Sequence, residues 1–248
     1  MSKIKKERID KLLLERGFAE SREKAKALIM AGRIVVNDKR ADKAGEVVPF
    51  DAEIRIKGEA MPYVSRGGLK LQEAINHFNI DVKGLVALDI GASTGGFTDC
   101  LLQHDVERVY AIDVGYGQMD LKVKNDRRVI SMERKNIRHM VQEDIPEKAD
   151  IAVMDLSFIS LAKVIPHVIP LLKEDSRIVA LIKPQFEVGK GEVGKGGIVR
   201  DEAKIDKVIR EISDFMADSG LNVIGITPSP ILGAKGNREF LIYMLKKS

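Results

Sequence analysis

Two hydrophobic rhythms divide the chain. In the first sixty residues, Ile9, Leu12 and Leu13 make a helical stripe whose end Gly17 suits. Ser21 can cap a second helix with apolar positions Ala25, Leu28 and Ile29, ended by Gly32. Ile34-Val35-Val36 reads as a short strand, Asn37-Asp38 as a turn, and Glu53-Ile54-Arg55-Ile56 as another strand. Residues 1–60 therefore predict a compact α+β module. Lys57-Gly58-Glu59-Ala60-Met61-Pro62 breaks the pattern and is the expected linker.

From residue 61 to 248 apolar runs alternate with helical stretches. Strands are predicted at Leu85–Asp89, Val109–Asp113, Val129–Met132, Ile151–Met154, Ile178–Ile182, Val223–Pro228 and Phe240–Leu245. Helices are predicted at Leu69–Phe78, Phe97–Gln103, Ile159–Leu172 and Glu202–Asp218. In the last of these, Ile205, Val208, Ile209, Ile212, Phe215 and Met216 share one face, and Gly220 follows. The alternation predicts an α/β domain: a mainly parallel, Rossmann-like sheet covered on both faces.

Composition adds three points. No stretch approaches the ~20 apolar residues of a membrane span, and the basic start, MSKIKKERID, lacks the apolar run of a secretory signal. The single cysteine, Cys100, cannot form an internal disulfide, so a cytoplasmic protein is expected. The net charge of +4 lies wholly in residues 1–60, which hold 15 Lys/Arg against 11 Asp/Glu, whereas residues 61–248 hold 26 of each. A polyanion is the expected partner of that quarter. Arg8, Arg22, Lys26, Arg33 and Lys39 decorate the module and are the candidate contacts to that polyanion, with Arg66 beyond the linker.

The candidate chemistry begins after the first strand of the larger segment, in Asp89-Ile90-Gly91-Ala92-Ser93-Thr94-Gly95-Gly96-Phe97. A strand, a glycine turn and a helix start form the entry of a nucleotide-type site. The glycines fall at the first, fifth and sixth places instead of the first, third and sixth, with an acid two residues ahead. That reads as the S-adenosylmethionine loop of methyltransferases. Asp89, Gly91, Ala92, Ser93, Gly95, Gly96 and Phe97 are the expected cofactor-binding residues. Asp113 closes the next strand, where an acid accepts hydrogen bonds from ribose hydroxyls. Glu133 to Asn136 follows the third strand, and Asn136 is the candidate beside the adenine. Asp155 and Lys183 end the fourth and fifth strands and should face the same crevice, Asp155 also near the cofactor. A lysine so placed can serve as a general base. Phe186–Val199 carries five glycines with Lys190 and Lys195, and predicts a mobile loop beside the site.

The stretch RIDKLLLERGFAESREKAKALIMAGRIVVNDK resembles the αL RNA-binding module named after a small-subunit ribosomal protein. Such modules bind structured RNA through shape and phosphates. YVSRGGLKL, LDIGASTGGFTDCLL, DVGYGQ, MDLSFISL, LIKPQFEVGKGEVGKGGIVRD and SPILGAKGNREFL resemble the TlyA family, often labelled haemolysin A. That family joins the module to an FtsJ-type RNA 2′-O-methyltransferase domain. The resemblance brings Lys70 and Glu239 together with Asp155 and Lys183 as a Lys-Asp-Lys-Glu tetrad. It implies methylation of cytidine 2′-hydroxyls in ribosomal RNA, small or large subunit, with S-adenosylmethionine and no metal. Lys183 is expected to take the proton, Asp155 to orient it, Lys70 to favour the developing alkoxide, and Glu239 to hold the set in register. His77, His104, His139 and His167 show no ligand spacing. The family's older name suggests membrane lysis, but neither an amphipathic membrane element nor a secretion route is evident. A ribosome-assembly factor with a vestigial cofactor site is the third reading, against which the intact loop and tetrad argue.

Overall fold

The structure, a computed structural model, describes residues 6–37, 39–57, 61–189, 191–194, 196–233 and 236–247. The first five residues, Asp38 of the expected turn, residues 58–60 of the expected linker, and Lys190 and Lys195 of the glycine-rich loop lie outside the described residues. The chain divides into two compact units, residues 1–61 and 62–248.

The first unit runs β1 (Lys6–Arg8), α1 (Ile9–Glu15), α2 (Arg22–Met30), β2 (Ile34–Val36), β3 (Lys39–Arg40), β4 (Val47–Pro49) and β5 (Ile54–Ile56). Ser21 caps α2 by accepting the Lys24 N–H at 3.2 Å. The expected apolar stripes of both helices meet β2 and β5 in one core, with Ile9, Leu12, Leu13, Ala25, Ile29 and Ile34 at most 1% exposed. β2 lies between β3 and β5, and β1 pairs with β4, all antiparallel. Strands β1, β3 and β4 were not predicted: β1 (KER) and β3 (KR) are wholly charged, and β4 (VVP) ends in proline.

The larger unit runs α3 (Gly67–Phe78), β6 (Val86–Ile90), α4 (Gly96–Gln103), β7 (Arg108–Asp113), α5 (Leu121–Lys124), β8 (Val129–Glu133), β9 (Ala149–Met154), α6 (Ile165–Val168), β10 (Leu172–Ile182), α7 (Pro184–Glu187), α8 (Glu202–Asp218), β11 (Leu221–Pro228) and β12 (Phe240–Lys246). Its sheet has the order β11-β12-β10-β9-β6-β7-β8, parallel from β10 to β8, with β12 antiparallel to both its neighbours. The strand order reverses at β6 and β9, and their carboxyl ends open the crevice where ligands bind in such sheets.

The strand alternation sorts the core into two layers. Val86, Leu88 and Ile90 of β6 face the layer that holds α8, while Ala87 faces the layer under α4 and α3. The predicted helix Ile159–Leu172 is not continuous. It consists of 3₁₀ turns at Leu161–Lys163 and Ile169–Leu171 around α6, because Pro166 and Pro170 each remove an N–H and restrict the residue before them. β10 starts at Leu172 instead of Ile178, with a register shift before Arg177. Among the described residues, no helix is long and apolar enough to cross a membrane.

Candidate active site

The glycine loop is shaped by close backbone approach. Gly91 takes φ +83°, and a Cβ there would stand 2.8 Å from the Asp155 carbonyl oxygen, so the turns after β6 and β9 pass backbone against backbone. Asp113, at the end of β7, is fixed by two main-chain donors: Ser93 N–H to Oδ2 at 2.8 Å and Gly115 N–H to Oδ1 at 2.7 Å. Beside it opens a cavity of about 540 Å³ lined by Ile90, Gly91, Ser93, Asp113, Asn136, Asp155 and Phe158, among others. A second, of about 210 Å³, shares Gly91, Ser93, Asp155 and Ser157 and adds Ser65, Gly67, Ala92, Thr94, Gly96, Phe97 and Lys183.

A nucleoside with free ribose hydroxyls fits this cradle. The larger cavity falls within the usual ~300–1,000 Å³ of ligand pockets. Gly91 backbone lines it beside the Asp113 carboxylate, which keeps lone pairs for hydroxyl donors. Asn136 sits at the cavity's edge with Oδ1 accepting the Arg138 N–H at 3.1 Å.

Two of the expected cofactor contacts take other positions. Asp89 shares the strand parity of Ala87 and so points beneath α4; it is fully buried, accepts the Thr98 hydroxyl at 2.6 Å, and lines neither cavity. Among the described residues its Oδ1 has no hydrogen-bond partner, and burial, with the Asp155 and Asp113 charges adding, pushes its carboxyl up to about 7. Gly95, at φ +90°, directs its missing side chain toward Val123, 3.1 Å away, and Met119. Both residues support the loop from behind.

The tetrad assembles as one chain of charge. Lys183 Nζ lies 2.6 Å from Asp155 Oδ1 and donates to Ser157 Oγ at 3.0 Å. Asp155 Oδ2 receives Lys70 Nζ at 3.4 Å, and Lys70 donates to Glu239 Oε2 at 2.7 Å. Parity explains the convergence. Asp155, Lys183 and Glu239 each adjoin a residue of the α8-side layer (Met154, Ile182, Phe240), which turns them to the opposite, α3 side. Antiparallel pairing sets Phe240 beside Ile182, which brings the start of β12 to the carboxyl end of β10. On α3, Lys70 falls in the buried stripe with Leu71, Ala74 and Ile75. Lys70, Lys183 and Glu239 are all under 9% exposed, while the Asp155 side chain keeps 21%. Two cations and two anions so desolvated balance one another.

The candidate RNA contacts divide. Arg8 and Arg22 both hold the buried Asp10, Arg8 through two bonds of 3.0 Å and Arg22 through one of 3.2 Å. Arg33 donates to the Lys57 carbonyl at 3.1 Å, and Arg66 to the Leu232 carbonyl at 3.2 Å. Lys26 and Lys39 are exposed. Sequence reasoning missed Ser65, Ser157 and Phe158. Phe158 is 90% exposed at φ +64° and packs on Phe186 at 5.0 Å between ring centroids. An aromatic directly after the Asp155-Leu156-Ser157 turn was the available signal.

Comparison with known proteins bears on both units. The model of the FtsJ-like methyltransferase family matches residues 63–246, and that of the S4 domain matches residues 7–54. The "16S/23S rRNA (cytidine-2'-O)-methyltransferase TlyA" of Mycobacterium tuberculosis is 40% identical over 238 residues, 96% of this chain and 89% of that protein. "Hemolysin A" of Brachyspira hyodysenteriae is 40% identical over 242 residues, 96% of this chain and 99% of that protein. A solved structure from Streptococcus thermophilus, 44% identical, superposes with a TM-score of 0.77 over 99% of this chain and 90% of its own. An S-adenosylmethionine-dependent methyltransferase from Mesorhizobium loti shares the fold alone, at 13% identity and TM-score 0.51, covering 70% of this chain and 96% of its own.

Proposed function

Because the chain belongs to the FtsJ-like methyltransferase family and carries an S4 domain ahead of it, we propose that it methylates cytidine 2′-hydroxyls of ribosomal RNA, in the small subunit, the large subunit or both, using S-adenosylmethionine. The observation that carries this reading is the unbroken contact chain Lys183–Asp155–Lys70–Glu239, whose first two members line a cavity with Gly67, Gly91 and Gly96. The glycine backbone from Gly91 to Gly96, Asp113 and Asn136 would hold the cofactor, which supplies an electrophilic methyl group when bound.

This chain's own residues handle the hydroxyl and its proton. A ribose hydroxyl is a poor nucleophile at neutral pH and must shed its proton as its oxygen gains the methyl group. Lys183 is the acceptor of that proton, at Nζ. Asp155 and Ser157 fix the direction of Nζ, and the resulting ammonium stays paired with Asp155. Lys70 stabilises negative charge on the substrate oxygen, held in place by Glu239 and Asp155. Residues 1–60, the S4 domain with its basic flanks, supply electrostatic affinity for RNA, since they hold the chain's whole charge excess.

Radiolabelled methyl transfer to isolated small and large ribosomal subunits, followed by nucleoside mapping, tests the reading. Label in 2′-O-methylcytidine is expected. Label on a base, or none in either RNA, overturns it.

A further inference from the structure

A buried amide two residues before Glu239 is so far without a role. Asn237 is 2% exposed. Its Oδ1 accepts the Val199 N–H at 3.1 Å, and its Nδ2 donates to the Gly197 carbonyl at 2.9 Å. The amide thus grips two main-chain groups of the glycine-rich segment that follows Lys183. Its own main-chain carbonyl accepts the Gly233 N–H at 2.8 Å, which closes the turn between β11 and β12. Inside that turn, a Cβ on Gly233 would land on Glu239 Oε1. The turn is therefore moulded around the carboxylate that holds Lys70 through its other oxygen, Oε2.

Taken together, these contacts run from Gly197 and Val199 through Asn237 to Gly233, Glu239 and Lys70. We propose that Asn237, with Gly233, is a positioning element for methyl transfer: it fixes the Glu239 carboxylate against Lys70 and ties that geometry to Gly197 and Val199 of the glycine-rich segment.

The physical basis is the cost of unmet buried groups. An Asn side chain matches one donor and one acceptor at once, which no carboxylate or hydroxyl can do with the same reach. Without it the Val199 N–H and Gly197 carbonyl lose their partners in a largely dry place, and the segment must shift to recover them. A shift of ~1 Å in a positioning group can cost ~100-fold in rate. The cofactor cradle draws on β6, β7 and β9 and should not feel the change.

The inference rests on the proposed 2′-hydroxyl chemistry, so its test has two arms. In the first, Asn237→Ala and Gly233→Ala are assayed on ribosomal subunits at saturating S-adenosylmethionine and RNA. Turnover is expected to fall ~10- to 100-fold, with KM for S-adenosylmethionine within about twofold of the parent. In the second arm, hydrogen exchange at the Val199 amide is followed without RNA, and Asn237→Ala should speed it about tenfold or more. Gly233→Ala keeps the amide clamp, so it should cut turnover while leaving that exchange slow. Parent-like turnover in both variants overturns the proposal. A cofactor KM that rises together with the loss of turnover also overturns it, since that is general loosening. If the parent itself moves no methyl to RNA, the reading of function falls instead, and an unchanged Val199 exchange would then dispose of the clamp separately.

Discussion

Replacing Asp89 with Asn should make the protein less stable at low pH and more stable at high pH. In the folded chain the carboxyl titrates near 7, against an ordinary 3.8. Between those values the folded state keeps a proton that the unfolded state has lost, so stability falls as pH rises and levels off above about 7. Each pH unit is worth ~1.36 kcal/mol, so the full window of about three units amounts to at most about 4 kcal/mol. An Asn cannot titrate. It can still accept the Thr98 hydroxyl, but it puts an amide donor where Oδ1 has no partner, at a fixed cost of ~1–3 kcal/mol. Roughly two of the three pH units lie between pH 5 and 7. Measured by urea unfolding of the larger unit, the variant should therefore gain about 2–3 kcal/mol on the parent between pH 5 and pH 8. A difference between the two proteins that stays constant within ~0.5 kcal/mol over that range would refute the argument, and with it the picture of Asp89 as a protonated brace.

Three further outcomes follow from the site. Lys183→Ala should fold and bind S-adenosylmethionine, yet lose at least ~100-fold in single-turnover methyl transfer; near-parental rates would pass the proton-accepting role to Lys70. Gly91→Ala should weaken S-adenosylmethionine binding in titration calorimetry, because its Cβ would meet the Asp155 main chain. Gly95→Ala should chiefly lower the melting temperature, because its Cβ faces Val123. Lys26→Gln with Lys39→Gln should reduce the salt slope of RNA binding by about 1–2 with cofactor affinity unchanged; the slope should not move if these side chains make no phosphate contact.

How much was legible depended on length and parity. The long apolar runs gave β6 to β12 to within a few residues at most ends, and α8 with both ends as observed, because buried parallel strands and a one-sided helix leave strong periodic signals. Among the short strands, β2 and β5 were readable from their own residues, whereas β1 and β3 are wholly charged and β4 ends in proline. Pro166 and Pro170 marked the break in the helix after β9, but the apolar spacing around them outweighed that signal in the reading. For the site, the strand ends carrying Asp113, Asp155 and Lys183 were readable, whereas Lys70 and Glu239 came only from family resemblance. Their placement depends on the α3 stripe and on antiparallel register across β10 and β12, which are long-range facts. The place of Asp89 follows from period two: counting from Ala87 sends its carboxylate under α4.

The last strand has a consequence for how the protein comes into being. β12 inserts between β10 and β11, and among the described residues β11 pairs with no other strand. While the chain is being synthesised, β6 to β10 can close over the glycine loop before β12 has been made. Until then β10 offers a bare edge, β11 has nothing to join, and Lys70 lacks its 2.7 Å partner. The insertion that seals the sheet edge is the same event that delivers Glu239. A nascent or truncated chain stopping short of residue 239 would thus have the glycine loop and its parallel strands without the Lys70–Glu239 contact.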